Sequence, residues 1–396
     1  MKPTDDLYQW IDEHLKDDPA KLRLRLHKQL TPELDFAILQ IECRRKAAKK
    51  LPETLSNPQF VFPTALSAEQ STSDLLAQFH STLVEDSLKL IDLTSGLGID
   101  VFHFAPKAQS ITAIELNPIV AEALSLNAVT LGHDNVIVIN GNCVEYVANC
   151  DIFYDVAFID PARRGVNGKR LFALSDCEPD VTAMLPSLKK MCRKLIVKAS
   201  PMLDVTQTLR ELPATTHLYV IGTPQECKEI VAIVDFNKEV SEPQIIAVTL
   251  GRDFSSKFEF KHLTELHSET TYAIPLEMQY LYEPYPSIMK SAPLKSLSQD
   301  YGIDKLHVNT HLYVSDEIVT DFPGEIFKIE CIIPFSSKEI KQFKNQYKQI
   351  NVATRNFIMT ADELRRKLGV KDGGNNRVIG CTLCDGSRVL IVVSHI

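Results

Sequence analysis

The chain has 396 residues, of which 44% are hydrophobic and 24% charged, the composition of an ordinary folded protein. This composition excludes a disordered or collagen-like chain, and at about 150 residues per domain the length predicts two or three domains. Its 43 Lys and Arg against 51 Asp and Glu give a net charge of −8, so a nucleic acid would have to bind at a local basic patch.

The nine cysteines are scattered, odd in number and without the spacing of a disulfide framework, in a chain too long to need such bridges. They predict reduced thiols and a cytoplasmic protein. The first residues lack a signal-peptide pattern, and nowhere do 18 apolar residues run together. We therefore expect neither a signal peptide nor a membrane span.

Residues 1–80 are predicted to form a helical N-terminal region, because apolar residues recur at helical spacing, as at Leu22, Leu26 and Leu30. Two clusters of Lys and Arg lie in it, at 21–28 and 44–50. They fit either a solvated helix face or a contact with an RNA backbone.

From Leu88 onward, short apolar runs alternate with helical stretches, a pattern that predicts a parallel sheet covered by helices on both faces. The fold class is therefore α/β, a doubly wound Rossmann-like sheet. Two further strands, at 229–236 and 244–250, are expected to form a closing antiparallel pair. The predicted strands before them end near the following residues: Gly96, Glu115, Asn140, Asp160, Lys198 and Ile221.

Beyond about residue 255 the alternation fades, and a stretch at 280–293 that contains Pro and Tyr is predicted to be a linker. A smaller α+β module is predicted after it. Its expected elements are strands at 306–314 and 326–333, helices at 337–347 and 361–368, and a hairpin around Asp385 and Gly386.

Ligands of open α/β sheets bind beyond the carboxyl ends of the strands. The first strand ends in the sequence Asp92-Leu-Thr94-Ser-Gly96-Leu-Gly98-Ile-Asp100, whose two glycines allow a tight turn and a close approach of the backbone to a ligand. Glu115 ends the second strand, where a carboxylate can accept both hydroxyls of a ribose. Together these features predict an adenosyl ligand.

A nicotinamide or flavin dinucleotide is the competing ligand. Such a site normally has a third glycine beside the pyrophosphate, whereas this sequence continues with Asp100 and Val101. A carboxylate beside a pyrophosphate is unfavourable, but a ligand with an ammonium and a sulfonium tolerates it.

The fourth strand ends in Asp160-Pro161-Ala162-Arg163-Arg164-Gly165, and with this third element residues 60–250 resemble the class I S-adenosylmethionine-dependent methyltransferases. The resemblance implies a seven-stranded sheet, S-adenosylmethionine as cofactor and a substrate motif at Asp160 and Pro161. It also implies cofactor contacts from these residues: Asp92, Thr94, Gly96, Gly98, Asp100, Glu115, Asn117, Asn142, Cys143 and Asp160.

Two further segments carry family resemblance. Residues 62–63 and 69–73 look like the segment with which some RNA methyltransferases cover the cofactor, although helix caps at Ser71 or Ser73 explain the serines equally well. Residues 351–357, 364–368 and 371–374 resemble bacterial predicted methyltransferases with a ferredoxin-like piece and a C-terminal THUMP-like domain. The implied boundaries are 81–275 for the methyltransferase domain, 276–326 for the ferredoxin-like segment and 327–396 for the THUMP-like domain.

Methyl transfer from a sulfonium is an in-line displacement, so the protein mainly positions the nucleophile, and no metal is needed. Asp160 can accept a proton or hydrogen bond from a substrate N–H, with Pro161 shaping the pocket floor. Arg163 is predicted to act beside them and, like Arg164, suits a phosphate. Further candidate substrate contacts are Lys198 and Ser200.

The Asp160 motif also resembles that of uracil-5 methyltransferases, whose chemistry needs a Cys nucleophile after strand five. Here that strand ends in Lys198-Ala199-Ser200, which disfavours a Cys adduct. The single Cys381-Thr-Leu-Cys384 pair lacks partners for a zinc site, so no metal site is predicted.

The sequence thus predicts a methyltransferase that acts by direct transfer on a base nitrogen of structured RNA, tRNA or rRNA, since THUMP domains imply such a partner. One alternative is a methyltransferase for a small molecule or a protein. Another is a catalytically inactive RNA-binding protein, which would explain why Ala162 and Arg163 depart from the family motif.

Overall fold

The computed structural model describes residues 3–163, 173–275 and 278–396, with the backbone alone at Arg163. The chain divides into two compact units, Met1–Thr216 with Val231–Val240, and His217–Ile230 with Ser241–Ile396. Within the described ranges, no helix combines the length and the apolarity that crossing a membrane requires.

The described residues form 15 α-helices and 18 β-strands. The helices are α1 (Asp5–Glu13), α2 (Pro19–Leu26), α3 (Pro32–Ala47), α4 (Ala65–Gln70), α5 (Asp74–Ser81), α6 (Ile99–Phe104), α7 (Pro118–Thr130), α8 (Cys143–Asn149), α9 (Val181–Met191), α10 (Val205–Glu211), α11 (His262–His267), α12 (Pro286–Ser291), α13 (Ser296–Tyr301), α14 (Ser337–Gln346) and α15 (Ala361–Leu368). The strands are β1 (Lys89–Asp92), β2 (Ser110–Glu115), β3 (Val136–Asn140), β4 (Tyr154–Ile159), β5 (Ala162–Arg163), β6 (Cys177–Glu178), β7 (Cys192–Ala199), β8 (Thr215–Gly222), β9 (Cys227–Asp235), β10 (Gln244–Leu250), β11 (Ser255–Lys261), β12 (Tyr280–Pro284), β13 (Asp304–His307), β14 (Thr310–Ser315), β15 (Gly324–Pro334), β16 (Asn351–Arg355), β17 (Asn376–Thr382) and β18 (Arg388–His395).

The N-terminal region is helical, as predicted, and α1, α2 and α3 pack around Ile11, Leu22, Ile38 and Ile41. Polar side chains at Thr4, Asp18 and Thr31 cap the three helices.

Most side chains of the two basic clusters contact groups within the protein. Arg23 pairs with both Asp35 and Glu42, and Lys46 pairs with Glu42 as well. Buried Arg44 donates to two backbone carbonyl oxygens of the 58–60 segment. These contacts favour a structural role for the clusters over an RNA contact.

The first unit contains five parallel strands of the larger sheet, in which β7, β4, β1, β2 and β3 are neighbours in that order. Their central residues, such as Ile91, Ala157 and Leu195, are fully buried, because helices cover both faces of the sheet. The carboxyl ends of all five strands therefore meet at one edge, where the candidate site lies.

The strand count differs from the seven expected. The larger sheet has nine strands among the described residues, in the order β11-β10-β8-β9-β7-β4-β1-β2-β3. The predicted pairing of β9 with β10 was wrong: β8 lies between them, and β10 pairs in parallel with β8 and antiparallel with β11. Strand β11 provides that partner because its alternate residues Phe258 and Phe260 are buried.

The second unit also contains a seven-stranded sheet, in the order β13-β14-β12-β15-β18-β17-β16. The linker predicted at 280–293 was wrong, since this stretch forms β12, paired with β14 and β15, followed by α12. The prolines fit these elements because Pro284 ends the strand and Pro286 begins the helix. Helices α14 and α15 and the hairpin of β17 and β18 are as predicted. The single strand predicted at 306–314 was wrong, since β13 and β14 form an antiparallel pair there.

Candidate cofactor and substrate site

The loop between β1 and α6 has the tight geometry that its glycines predict. Gly96 and Gly98 have φ values of 53° and 88°, a region that favours glycine. A Cβ at Gly98 would lie 2.1 Å from Leu124 Cδ1, so the loop packs directly against α7. At Gly96 no neighbouring atom of the described residues lies within 4 Å of the corresponding position, so that part of the structure leaves space beside the loop.

Asp92 ends β1 and is completely buried. Its Oδ1 accepts a hydrogen bond from the Thr94 N–H at 2.9 Å. Burial raises the pKa of Asp92 to about 8, and the nearby negative charges of Asp100 and Asp160 act in the same direction. Asp92 is therefore largely protonated at neutral pH.

Glu115 joins the glycine loop to the start of α7. Its Oε2 accepts the Gly96 N–H at 2.9 Å and its Oε1 accepts the Asn117 N–H at 2.7 Å. Asn117 in turn caps α7 through the Ile119 N–H. A carboxylate oxygen has more than one lone pair, so both Glu115 oxygens retain the capacity to accept a ribose hydroxyl.

Asn142 and Cys143 lie after β3, at the same edge of the sheet. Asn142 Oδ1 caps α8 by accepting the Val144 N–H at 2.8 Å. Burial raises the pKa of the Cys143 thiol, and the negative charge of Glu115 raises it further. This thiol is therefore not an activated nucleophile.

Two apolar residues that the sequence interpretation missed stand beside these positions. Leu116 follows Glu115 and is 69% exposed, and Val144 follows Cys143 and is 45% exposed. Their position immediately after the two predicted cofactor residues was the available sequence signal.

Asp160 is held at the end of β4 by two neighbours. Its N–H donates to Thr94 Oγ1 at 2.7 Å, which connects it to the glycine loop. Its Oδ2 accepts the Lys198 ammonium at 2.6 Å. Pro161 is buried, whereas the Asp160 side chain is 41% exposed.

The predicted contacts on the substrate side are only partly described. Lys198 lies near the end of β7 and contacts Asp160. Ser200 follows β7 and accepts the Met202 N–H. Arg164 and the Arg163 side chain lie outside the described residues. Cys177 is buried and donates to the Ala173 carbonyl oxygen.

Asp100 lies in the first turn of α6 and contacts two residues that the sequence interpretation did not select, Thr72 and His80. Although burial alone would raise the pKa of Asp100, the Lys198 ammonium and His80 hold that pKa well below its usual range. Thr72 lay in a segment that the resemblance had marked, but His80 had no sequence signal.

No group of three or more His, Cys, Asp or Glu residues suited to a metal ion occurs within the three described ranges.

Comparison with known proteins finds matches for two adjacent segments of the second unit and for the chain as a whole. Residues 280–323 match a ferredoxin-like domain and residues 324–395 a THUMP domain-like family. The chain is similar to a candidate methyltransferase from Porphyromonas gingivalis W83, at 30% identity and a TM-score of 0.90 over 100% of both chains. No curated protein matches the chain in sequence.

Two further solved structures are much less similar. TrmK of M. capricolum, bound to S-adenosylhomocysteine, is 14% identical with a TM-score of 0.32, over 41% of this chain and 68% of that one. The tRNA m1G37 methyltransferase of M. jannaschii is 13% identical with a TM-score of 0.30, over 43% of this chain and 52% of that one. Likenesses this weak say nothing about the function of the chain.

The full-length similarity to the Porphyromonas protein agrees with the motifs at the strand ends and with the two C-terminal domain matches. The chain therefore belongs to the class I S-adenosylmethionine-dependent methyltransferases, in the family that carries a ferredoxin-like segment and a C-terminal THUMP-like domain.

Proposed function

We propose that the chain binds S-adenosylmethionine at the ends of β1, β2 and β3 and methylates a base nitrogen of tRNA or rRNA by direct transfer. The two C-terminal segments, at the boundaries 276–326 and 327–396, are proposed to hold the RNA, and residues 81–275 to perform the chemistry.

The residues at the strand ends fit the cofactor. The Glu115 carboxylate, fixed by the amides of Gly96 and Asn117, can accept ribose hydroxyls, and the open space at Gly96 gives the ligand room. Exposed Leu116 and Val144 offer apolar surface for an adenine ring. When bound, the cofactor supplies a methyl group on a sulfonium.

Asp160 is the proposed acceptor on the substrate side. Thr94 fixes its backbone and Lys198 fixes one carboxylate oxygen, so the partly exposed side chain has a defined direction. It can accept a hydrogen bond from a base N–H and orient the nitrogen lone pair toward the methyl group. With the cofactor bound, the bond from the methyl carbon to the sulfonium sulfur would break as the nitrogen bonds to that carbon, and the proton of the nitrogen would pass to the Asp160 carboxylate.

Direct transfer is favoured over a Cys adduct. The raised pKa of Cys143 and the burial of Cys177 make both thiols poor nucleophiles. Strand β7 ends with Lys198 and Ala199, and Ser200 follows it, so no thiol lies at this point. A nitrogen acceptor needs no covalent intermediate.

The single observation that carries the RNA assignment is the charge of residues 334–372, which include α14 and α15. This segment has nine Lys and Arg against four Asp and Glu, a net charge of +5 in a chain of −8. Eight of its nine basic residues are exposed, namely Lys338, Lys341, Lys344, Lys348, Arg355, Arg366, Lys367 and Lys371. Such a local concentration of positive charge suits the phosphates of RNA. Arg163 and Arg164 are proposed as further phosphate contacts.

The proposal is tested by incubating the protein with methyl-labelled S-adenosylmethionine and total RNA from cells that lack it. We expect label in RNA, recovered after digestion as a nucleoside methylated on a base nitrogen. Asp160→Asn should reduce the rate by at least about a hundredfold, because it removes the proposed proton acceptor. Label recovered only in protein or in small molecules would contradict the proposal.

A further inference from the structure

A continuous chain of polar contacts links five side chains behind the strand ends. Asp100 Oδ1 lies 2.7 Å from His80 Nδ1, and Asp100 Oδ2 accepts the Thr72 hydroxyl at 2.5 Å. The Lys198 ammonium donates to Thr72 Oγ1 at 2.8 Å and to Asp160 Oδ2 at 2.6 Å. Thr72 and His80 come from the segment before β1, outside the motifs that identify the cofactor site.

The chemistry of the groups sets the direction of each bond. A carboxylate can only accept, so Thr72 gives its hydroxyl proton to Asp100. An ammonium can only donate, so the Thr72 oxygen accepts from Lys198. The hydroxyl therefore stands between the buried carboxylate and the ammonium.

This series of polar contacts is buried at its His80 end and exposed at its Asp160 end. His80 is 1% exposed, and Asp100 and Lys198 are each 8% exposed. The Asp160 side chain, at the other end, is 41% exposed. Thr72 between them is half-buried, so Asp160 is the most accessible of the five to a substrate.

The Lys198 ammonium lies near two carboxylates, Asp100 and Asp160. Lys198 Nζ lies 2.6 Å from Asp160 but 3.7 Å from Asp100, although Asp100 is the more deeply buried anion and would gain more from a cation. Thr72 and His80 account for this preference, because each contacts one oxygen of Asp100 and thereby offsets part of its negative charge.

We infer that Thr72, His80 and Asp100 are positioning residues that direct the Lys198 ammonium onto Asp160 and so fix that carboxylate for the substrate. This inference rests on the proposed role of Asp160. It gives Asp100 a function other than the cofactor contact expected from its place in the first motif.

The decisive variant is Thr72→Val, which keeps the shape of the side chain and removes the hydroxyl. Without it, the ammonium can move toward the Asp100 oxygen that has lost its donor. Thr72→Ser restores a hydroxyl and serves as the rescue variant. Thr82→Val is the matched control, because it removes a hydroxyl that contacts only the Phe79 carbonyl oxygen at the exposed end of α5.

We expect Thr72→Val to lower kcat for methyl transfer to RNA by about tenfold or more, the effect of a misplaced catalytic group. Affinity for S-adenosylhomocysteine, measured by calorimetry, should stay near that of the wild type. Thr72→Ser and Thr82→Val should transfer at near the wild-type rate. An unchanged kcat in Thr72→Val, or a loss confined to cofactor affinity, would overturn the inference.

A second readout separates this inference from the proposed function. In the protein without RNA, the ¹⁵N resonance of the Lys198 ammonium, assigned by its loss in Lys198→Met, should shift in Thr72→Val and not in Thr82→Val. A resonance that does not shift overturns the inference, whatever the activity. If the resonance shifts in Thr72→Val but the wild-type protein does not methylate RNA, the result would count against the proposed function alone.

Discussion

Gly98 lies where the glycine loop meets α7, with a positive φ and no room for a side chain. In Gly98→Ala the new Cβ would collide with Leu124 and with the Phe102 ring. We expect this variant to lose about 3 kcal/mol of unfolding free energy in urea denaturation, the combined effect of backbone strain and overpacking.

Gly96→Ala is the matched control, because it adds the same methyl group to a positive-φ residue with nothing within 4 Å. It should lose only about 1 kcal/mol, from the backbone conformation alone. Equal losses in the two variants would show that packing against α7 does not constrain the loop.

Asp92 makes the stability of the protein depend on pH near neutrality. The folded protein keeps its proton up to about pH 8, whereas the unfolded chain releases it near the usual pKa of 3.8. Between these values the folded state binds more protons, so its stability falls as pH rises, by up to about 1.4 kcal/mol per pH unit. Asp100 does not contribute in this window, because its pKa is lowered.

Asp92→Asn keeps an oxygen to accept the Thr94 N–H and cannot ionise. We expect the difference in unfolding free energy between wild type and variant to decrease steadily from pH 5 to pH 8 in urea titrations. A difference that stays constant across this range would show that Asp92 is ionised in the folded protein.

Which site residues could be predicted from the sequence depends on how local their signal is. Asp92, Glu115 and Asp160 end apolar strands, so their place follows from a short pattern and the rule for parallel sheets. His80 contacts the carboxylate of Asp100, 20 positions away on another helix. A single histidine in a helix belongs to no sequence pattern from which this contact could be predicted. The side-chain network therefore became visible only in three dimensions.

At the level of elements, helices and strands with a strong periodic pattern were predicted well, but the pairing of strands was not. Helix α7 was predictable because Asn117 caps it, Pro118 begins it and Gly132 follows its end with a positive φ. The neighbours of β10 were not, because an apolar strand carries no information about which strand it pairs with. The error at 280–293 had the same origin, since prolines at the ends of elements resemble those of a linker.

Strand β12 is tied to β16 and β17 through Glu283, which pairs with Arg355 and Arg377. Its side chain is only 12% exposed, and loss of its charge removes the carboxylate that pairs with both arginines, although Arg377 keeps its pair with Glu325. We expect Glu283→Gln to cost about 1 to 2 kcal/mol, measured by urea unfolding, because the arginines are partly exposed.

Glu317→Gln removes the same charge from an exposed side chain next to β14 and is the control. It should change the unfolding free energy by less than about 0.5 kcal/mol. If Glu283→Gln were equally mild, the ion pairs would not stabilise the second sheet.

At the level of the whole molecule, the charge is unevenly distributed along the chain. Residues 334–372 carry +5, so the remaining residues carry −13. Net charge alone argued against a nucleic-acid partner, and only the segment-by-segment distribution identifies a surface for one. The sequence also predicted a multidomain chain, but contact patterns between distant strands, which decide domain boundaries, are not readable from composition.

The basic segment should dominate the salt dependence of RNA binding. In Lys338→Glu/Lys341→Glu, we expect weaker binding to total tRNA and a shallower slope of log affinity against log salt, by about 0.9 for each lost phosphate contact. Fluorescence anisotropy across a series of KCl concentrations measures both.

Lys189→Glu/Lys190→Glu, on the exposed side of α9, makes the same change in net charge elsewhere. It should leave the slope nearly unchanged. Equal effects of the two double variants would mean that RNA responds only to overall charge, and the assignment of the basic segment would fail.

The most direct test of the account is calorimetric titration of the wild type and of Glu115→Ala with S-adenosylhomocysteine, with NADH as the competing nucleotide. Glu115 is decisive because its carboxylate both fixes the glycine loop and faces the proposed ribose. We predict that the wild type binds S-adenosylhomocysteine and not NADH, and that Glu115→Ala binds it at least about tenfold more weakly, the loss of a charged hydrogen bond. Wild-type affinity in Glu115→Ala, or preferential binding of NADH, would contradict the assignment of the strand ends as the methyl-donor site.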